Sequence, residues 1–222
     1  MIRSELRARI LTMLNESPTA PVFWSASEIN DLIDEGAEVI CEEAGAVKRT
    51  HFLPLLPGAT YYSLQSLGPR VMAPWRLWDH HRNHRLTTVS MADLDERLQV
   101  WNTVTGDPWH WFPVSWDTFG IFPHPSAGGG VLRVDTLEWP RALQDDDDSP
   151  ELMAGDDDAL IYYGLADGSA KRWDPAMLVQ AWSVFVGRLT GAVDRVGAGP
   201  MQARAWQVGQ AGDVAPTGGL AV

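Results

Sequence analysis

Between Asp174 and Val196 the apolar residues Met177, Leu178, Trp182, Phe185, Val186 and Leu189 recur at spacings of three and four, with Gln180, Arg188 and Asp194 off the stripe. That period is the signature of an amphipathic helix. Asp174 is placed to cap it and Pro175 to fill its first helical position. A second helix is predicted just before it. Ser149-Pro150-Glu151-Leu152 and the run Asp156 to Asp158 suit a helix start, because carboxylates offset the positive end of the macrodipole. Leu160, Ile161, Tyr163 and Leu165 carry its apolar side, and Asp167-Gly168 predicts the break between the two helices. A helical hairpin of this kind leaves its stripe wet unless another element covers it. The best complementary surface lies at the other end of the chain.

There, Leu6, Ile10, Leu11, Met13 and Leu14 give one apolar side to a helix over residues 3–15, with Arg3, Glu5, Arg7 and Arg9 outside and Asn15 and Pro18 stopping it. Ser25 and Glu28 have capping-box spacing, and Trp24 stands where a hydrophobic staple would. The helix they open runs to about Ala44 with Ile29, Leu32, Ile33, Ala37, Ile40 and Cys41 inward, and Gly45 ends it.

From Thr50 the period changes to two. Residues 50–55 and 60–64 read as a hairpin about Pro57-Gly58, residues 70–78 and 86–89 as two further strands, and residues 91–98 as a short helix capped by Ser90. Residues 109–114, 118–123 and 130–135 then read as a meander. The predicted fold class is α+β: a discontinuous helical bundle from residues 1–48 and 150–196, and an inserted small antiparallel β domain over residues 49–140. Its six or seven strands follow from the turn spacing. Residues 141–149 form an acidic linker with Asp145, Asp146, Asp147 and Asp148 solvated, and residues 197–222 an extended C-terminal arm. The arm's six glycines and two prolines cannot fold alone, but Met201, Trp206, Val208, Val214 and Leu220 are apolar anchors that another chain would order.

Several chemistries are disfavoured. A net charge of −12 opposes wrapping a nucleic-acid backbone, where affinity comes from Lys and Arg neutralising phosphates. The single cysteine, Cys41, excludes an internal disulfide and reads as a core residue. No uninterrupted apolar run or cationic leader marks a membrane or secretory segment, so the chain is expected to be cytosolic when made, with no membrane partner. His80, His81 and His84 lack a further zinc ligand and read as a polar turn. Ser115, Asp117 and His110 lack a nucleophile elbow, and the glycines 128–130 lack the lysine of a phosphate loop. Neither an enzyme nor a cofactor is expected. Most of the eleven tryptophans lie between Trp75 and Trp139, which makes a carbohydrate-binding or tail-associated β module the alternative reading, since indole faces stack on sugar rings.

The order of parts resembles the phage head-to-tail adaptor proteins, also called connector or head completion proteins. The stretches that carry the resemblance are Leu6 to Ile10, Trp24-Ser25 with Asn30 to Glu35, Pro57 to Leu64, Thr105 to Phe112, Phe122 to Pro125, and Asp157 to Ala166. The resemblance implies a homo-oligomeric ring, commonly a dodecamer, that sits under the portal protein, meets a stopper or tail-completion protein below, and lets genome DNA pass without sequence-specific binding. It implies a virion protein of the neck, assembled in the host cytoplasm. The arm, through Met201, Arg204, Trp206, Val208, Val214 and Leu220, becomes the candidate for portal docking. Asp145 to Asp148 and Asp156, Asp157 and Asp158 become candidate lumen acids, and Trp75, Trp78, Trp101 and Trp116 candidate subunit-interface aromatics.

Overall fold

The computed structural model describes residues 1–97, 100–128, 130–152 and 155–196. The protein is mixed α+β, and its described residues divide into two compact units: residues 1–49 together with 137–196, and residues 50–136.

The first unit holds α1 (Arg3–Met13), α2 (Ala26–Ala44), α4 (Asp157–Lys171) and α5 (Pro175–Val196). Local signals set the ends of α2 as read from the sequence. Ser25 Oγ accepts from Glu28 N–H at 3.2 Å while Ser25 N–H donates to Glu28 Oε2 at 2.9 Å. Gly45, at φ 61°, closes the far end by donating its N–H to the Cys41 carbonyl. Trp24 and Ile29, the staple pair, are both buried in the core that the four helices share.

α4 is the centre of that core. Leu160, Ile161, Tyr163, Gly164, Leu165, Ala166, Gly168 and Ser169 are buried, so the helix is covered on most of its circumference rather than along one stripe. It contacts α1, α2 and α5. Close approach depends on missing side chains: a Cβ on Gly164 would come within 2.8 Å of Ile10 Cδ1, one on Gly168 within 2.9 Å of Leu14 Cδ1, and one on Gly36 of α2 within 2.9 Å of Tyr163 Cδ1. This corrects the expected break at Asp167-Gly168. The helix runs on to Lys171, and Gly168 is there to let α1 in. The helix also starts at Asp157 rather than at the Ser149-Pro150 signal.

The first turn of α1 is capped from far along the chain. Arg3 and Ser4 donate their N–H groups to the carbonyls of Asp148 and Asp146, at 2.8 and 3.0 Å. Arg3 Nη1 reaches the Leu143 carbonyl at 2.7 Å, and Leu143 itself is buried in the helical core. Residues 143–148 are thus a strap across the start of α1, not a free acidic linker.

The second unit contains α3 (Met91–Arg97), capped by Ser90 whose Oγ accepts from Asp93 N–H at 3.0 Å. It also contains strands β2 (Tyr61–Ser63), β3 (Val71–Asp79), β4 (His84–Arg85), β5 (Thr87–Thr88), β6 (Thr105–Gly106), β7 (His110–Ser115), β8 (Thr118–Phe122) and β9 (His124–Pro125). The flanking strands β1 (Lys48–Pro54) and β10 (Val131–Glu138) begin or end at the division between units. The sheets have the orders β1-β10-β3-β4, β2-β8-β7-β5 and β6-β9.

Strand positions follow the sequence reading, but pairing does not. Residues 50–55 and 60–64 form no hairpin: β1 joins β10, and β2 joins β8 with Tyr62 opposite Phe119. The meander also breaks after β8, because β10 leaves for the other sheet. Two pairings, β5 with β7 and β6 with β9, are parallel. In the β7–β8 hairpin Phe112 faces Gly120, and a Cβ there would lie 2.2 Å from the Phe112 ring. The glycine makes room for a ring that also meets Trp101 edge-on at 5.2 Å.

Helix propensity and packing make opposite predictions at α4. Alanine for glycine in a helix is ordinarily stabilising by about 0.5–1 kcal/mol. Here the added methyl meets fully buried side chains, and overpacking costs about 1–3 kcal/mol. Gly164→Ala and Gly168→Ala are therefore expected to lower the denaturant midpoint, measured by circular dichroism.

Candidate functional site

α5 is longer and more apolar than its own unit can cover. Pro175–Asp194 has a mean hydropathy of 1.3, a value that would suit a membrane span by composition, yet among its residues only Ala181, Phe185 and Ala192 are buried. Met177 and Leu189 pack partly against the same core, and Phe185 meets Tyr163 edge-on at 5.4 Å. The outer side presents Val179 at 65%, Trp182 at 49% and Val186 at 43% exposure. Their spacing of three and four makes them a second seam on the same helix. The sequence reading placed Trp182 and Val186 on the inward stripe. The structure shows that stripe to be wider than the surface α4 and α2 offer it.

The tryptophans of the second unit divide by role. Trp101 is taken up by its own core, buried against Phe112 and Phe122 with Nε1 donating to Asp95 at 2.7 Å. Trp75 is half-buried under the Arg76 guanidinium, 3.9 Å from its ring centre. Trp78 is half-buried, and its Nε1 is shielded without a hydrogen-bond partner. Trp116, at the tip of the β7–β8 turn, is 72% exposed. Two shallow hollows of about 230 and 270 Å³ share Asp79, Arg82, Asp107 and Pro108, and of the described indoles only Trp109 lines either. The rings are dispersed over the unit rather than gathered about a cleft.

The acidic residues are largely occupied. Arg7 grips Asp146 with two bonds of 2.7 and 2.8 Å and holds that carboxyl below its usual range, first through the hydrogen bond. Backbone N–H groups of Asp145 and Gln144 do the same for Asp148. Asp156 is buried at the start of α4, Asp157 meets the Met1 ammonium at 2.8 Å, and Asp158 faces Arg188 at 3.7 Å. Asp145 and Asp147 remain on the exposed side of the strap.

The polar motifs serve the backbone. His80 packs edge-on to Phe52 and His84 to Trp109, while Asp79 accepts from the His81 and Arg82 N–H groups to close the β3–β4 turn. Among the described residues no three His, Cys, Asp or Glu side chains converge as a metal site requires. Ser115 and Thr118 both donate to Asp117 at the β7–β8 turn, and His110 is engaged separately with Thr87 at 2.7 Å. The candidate docking residues Met201, Arg204, Trp206, Val208, Val214 and Leu220 lie outside the described residues.

One exposed feature has no counterpart in the sequence reading. The loop before α2 presents Val22 at 95% and Phe23 at 47% exposure, and the α4–α5 turn presents Trp173 at 91%. A tryptophan directly before a capping aspartate was the available signal.

A family model described as SU10 adaptor protein matches residues 1–208. No curated protein matches the chain.

Cys41 is buried on α2. Burial, helped by the negative charges of Glu151, Glu38 and Asp156, pushes its thiol up to about 12. The folded protein keeps this proton through the range in which an exposed thiol loses it, and the thiolate is the reactive form. A thiol reagent at pH 8 is therefore expected to label Cys41 only in denaturant; labelling of the native chain at the rate of a free thiol would contradict this placement.

Proposed function

The chain belongs to the SU10 adaptor protein family, a family of phage head–tail adaptors, and from that premise we propose that it is a non-catalytic ring subunit of the virion neck. In this reading copies assemble in the host cytoplasm into a homo-oligomeric ring, a dodecamer, beneath the portal protein and above a stopper or tail-completion protein. The discontinuous helical bundle builds the ring wall, the inserted β domain makes the outer or lower contacts, and the arm over residues 197–222 clamps the portal.

The observation that carries the reading is the uncovered seam of α5. Exposed apolar surface of this continuity marks an interaction site, and a ring gives every copy a neighbour to cover it without leaving a free end. Of the candidate interface aromatics, Trp116 is the most exposed, at 72%. Asp145 and Asp147 are the acids best placed to face passing phosphates, since the others are tied to cations or backbone within the subunit.

The mass and symmetry of the particle formed with the portal protein test the ring. A dodecamer is expected, and a chain that stays monomeric beside its portal overturns it. Val179→Asp with Val186→Asp should abolish assembly while changing stability by only about 0.5 kcal/mol, the range for exposed positions. Light scattering and thermal melts read the two effects separately. Deleting residues 200–222 should weaken attachment to the portal and leave both units folded; undiminished attachment removes the clamp.

A further inference from the structure

Trp109 is the described indole that lines a hollow, and its setting differs from that of the other exposed rings. The hollow is about 230 Å³ and is walled by Asp79, Arg82, His84, Asp107 and Pro108. Trp109 is 52% exposed, which leaves ring area for a ligand, yet the ring is held in place. Its backbone is tied on both sides, the N–H donating to the Phe122 carbonyl and the carbonyl accepting from Thr87 N–H, each at 2.9 Å. His84 packs edge-on to the indole with ring centres 4.6 Å apart. A fixed aromatic face loses little freedom when a ligand covers it.

The polar wall is equally fixed. Asp79 is buried and accepts from the His81 and Arg82 N–H groups at 3.0 and 3.1 Å, which sets the β3–β4 turn that carries Arg82. Arg82 reaches across to pair with Asp107, whose side chain is half-exposed. A guanidinium and a carboxylate each offer more hydrogen-bonding sites than their mutual contact uses. The pair therefore presents donors and acceptors side by side, the pattern that neighbouring hydroxyl groups match. Charge selects further. Two carboxylates, Asp79 and Asp107, stand against one guanidinium, which opposes an anion, and Arg82 already fills the place a ligand cation would take. What remains is a neutral ligand with an apolar face and a hydroxyl-bearing rim.

We propose that this hollow binds a saccharide: one pyranose ring stacks on Trp109 while its hydroxyls bond to Arg82 and Asp107. A sugar with equatorial hydroxyls presents a flat face of axial C–H groups, which suits an indole. The second hollow, of about 270 Å³, continues from the same ion pair along Gly128 and Gly130. It gives further sugars room to run past Arg82 and Asp107, and a β-linked glycan, whose links also lie equatorially, has the extended shape for it. All these residues belong to the β unit, so the site is distinct from the α5 seam and goes beyond the adaptor reading.

The test titrates the full chain with cellotriose and with chitotriose, read by indole fluorescence and by calorimetry. Saturable binding of at least one is expected. Trp109→Ala should weaken it about 10-fold, the worth of one aromatic stacking contact. Asp107→Ala should weaken it too, and keeps the test decisive if Trp109→Ala melts early. Trp116→Ala removes an exposed indole outside both hollows and should leave binding unchanged. Absence of saturable binding by either trisaccharide overturns the proposal, as does equal binding by wild type and both hollow variants. Tighter binding of a sulfated heparin trisaccharide, or of tetramethylammonium, overturns the assignment to a neutral sugar. Particle assembly with the portal should be the same for Trp109→Ala and wild type, so failure here leaves the adaptor reading standing.

Discussion

The helical unit depends on how closely α1 and α2 approach α4. Three glycines, Gly36, Gly164 and Gly168, remove the methyl groups that would hold the helices apart, and Ile10, Leu14 and Tyr163 fill the space so released. Dispersion forces fall steeply with separation, so contact at this range turns a modest apolar stripe into a cohesive core. It also explains the exposed face of α5. Once α1 and α2 occupy two sides of α4, only one side is left for α5, and that side takes Ala181, Phe185 and Ala192.

Much of this was legible in the sequence because it is local. The capping box at Ser25 and Glu28, the glycine end of α2, the Ser90 cap of α3 and the Asp174-Pro175 start of α5 are each decided by residues within one turn. Pairing was not legible, because a two-residue period says that a strand exists and not which strand it joins. β1 and β2 alternate as a hairpin would, yet they enter different sheets. Gly168 shows the same limit in a helix: a glycine that permits close packing and one that ends a helix look alike until the neighbour is known. At the candidate surfaces the residue types were readable and their fates were not. Trp101 became core and Trp116 surface through their positions in the fold alone.

Charge is arranged more carefully than the net value suggests. The acidic runs look like solvated tracts, but Asp146, Asp148, Asp157 and Asp158 each meet a cation or a backbone donor within their own unit. Such pairs contribute little stability individually when exposed. Their effect is orientation: they fix where the strap crosses α1 and leave Asp145 and Asp147 on its open side.

That strap has a consequence for the growing polypeptide. The opening N–H groups of α1 are bonded to carbonyls some 140 positions later, so neither it nor α2 can finish packing until the β unit has been made and α4 follows. Such long sequence separation slows folding. It also imposes an order on assembly of the core: α4, the helix that α1 and α2 pack against, follows the strap in the chain, so the surface that closes the helical unit is made only after the β unit.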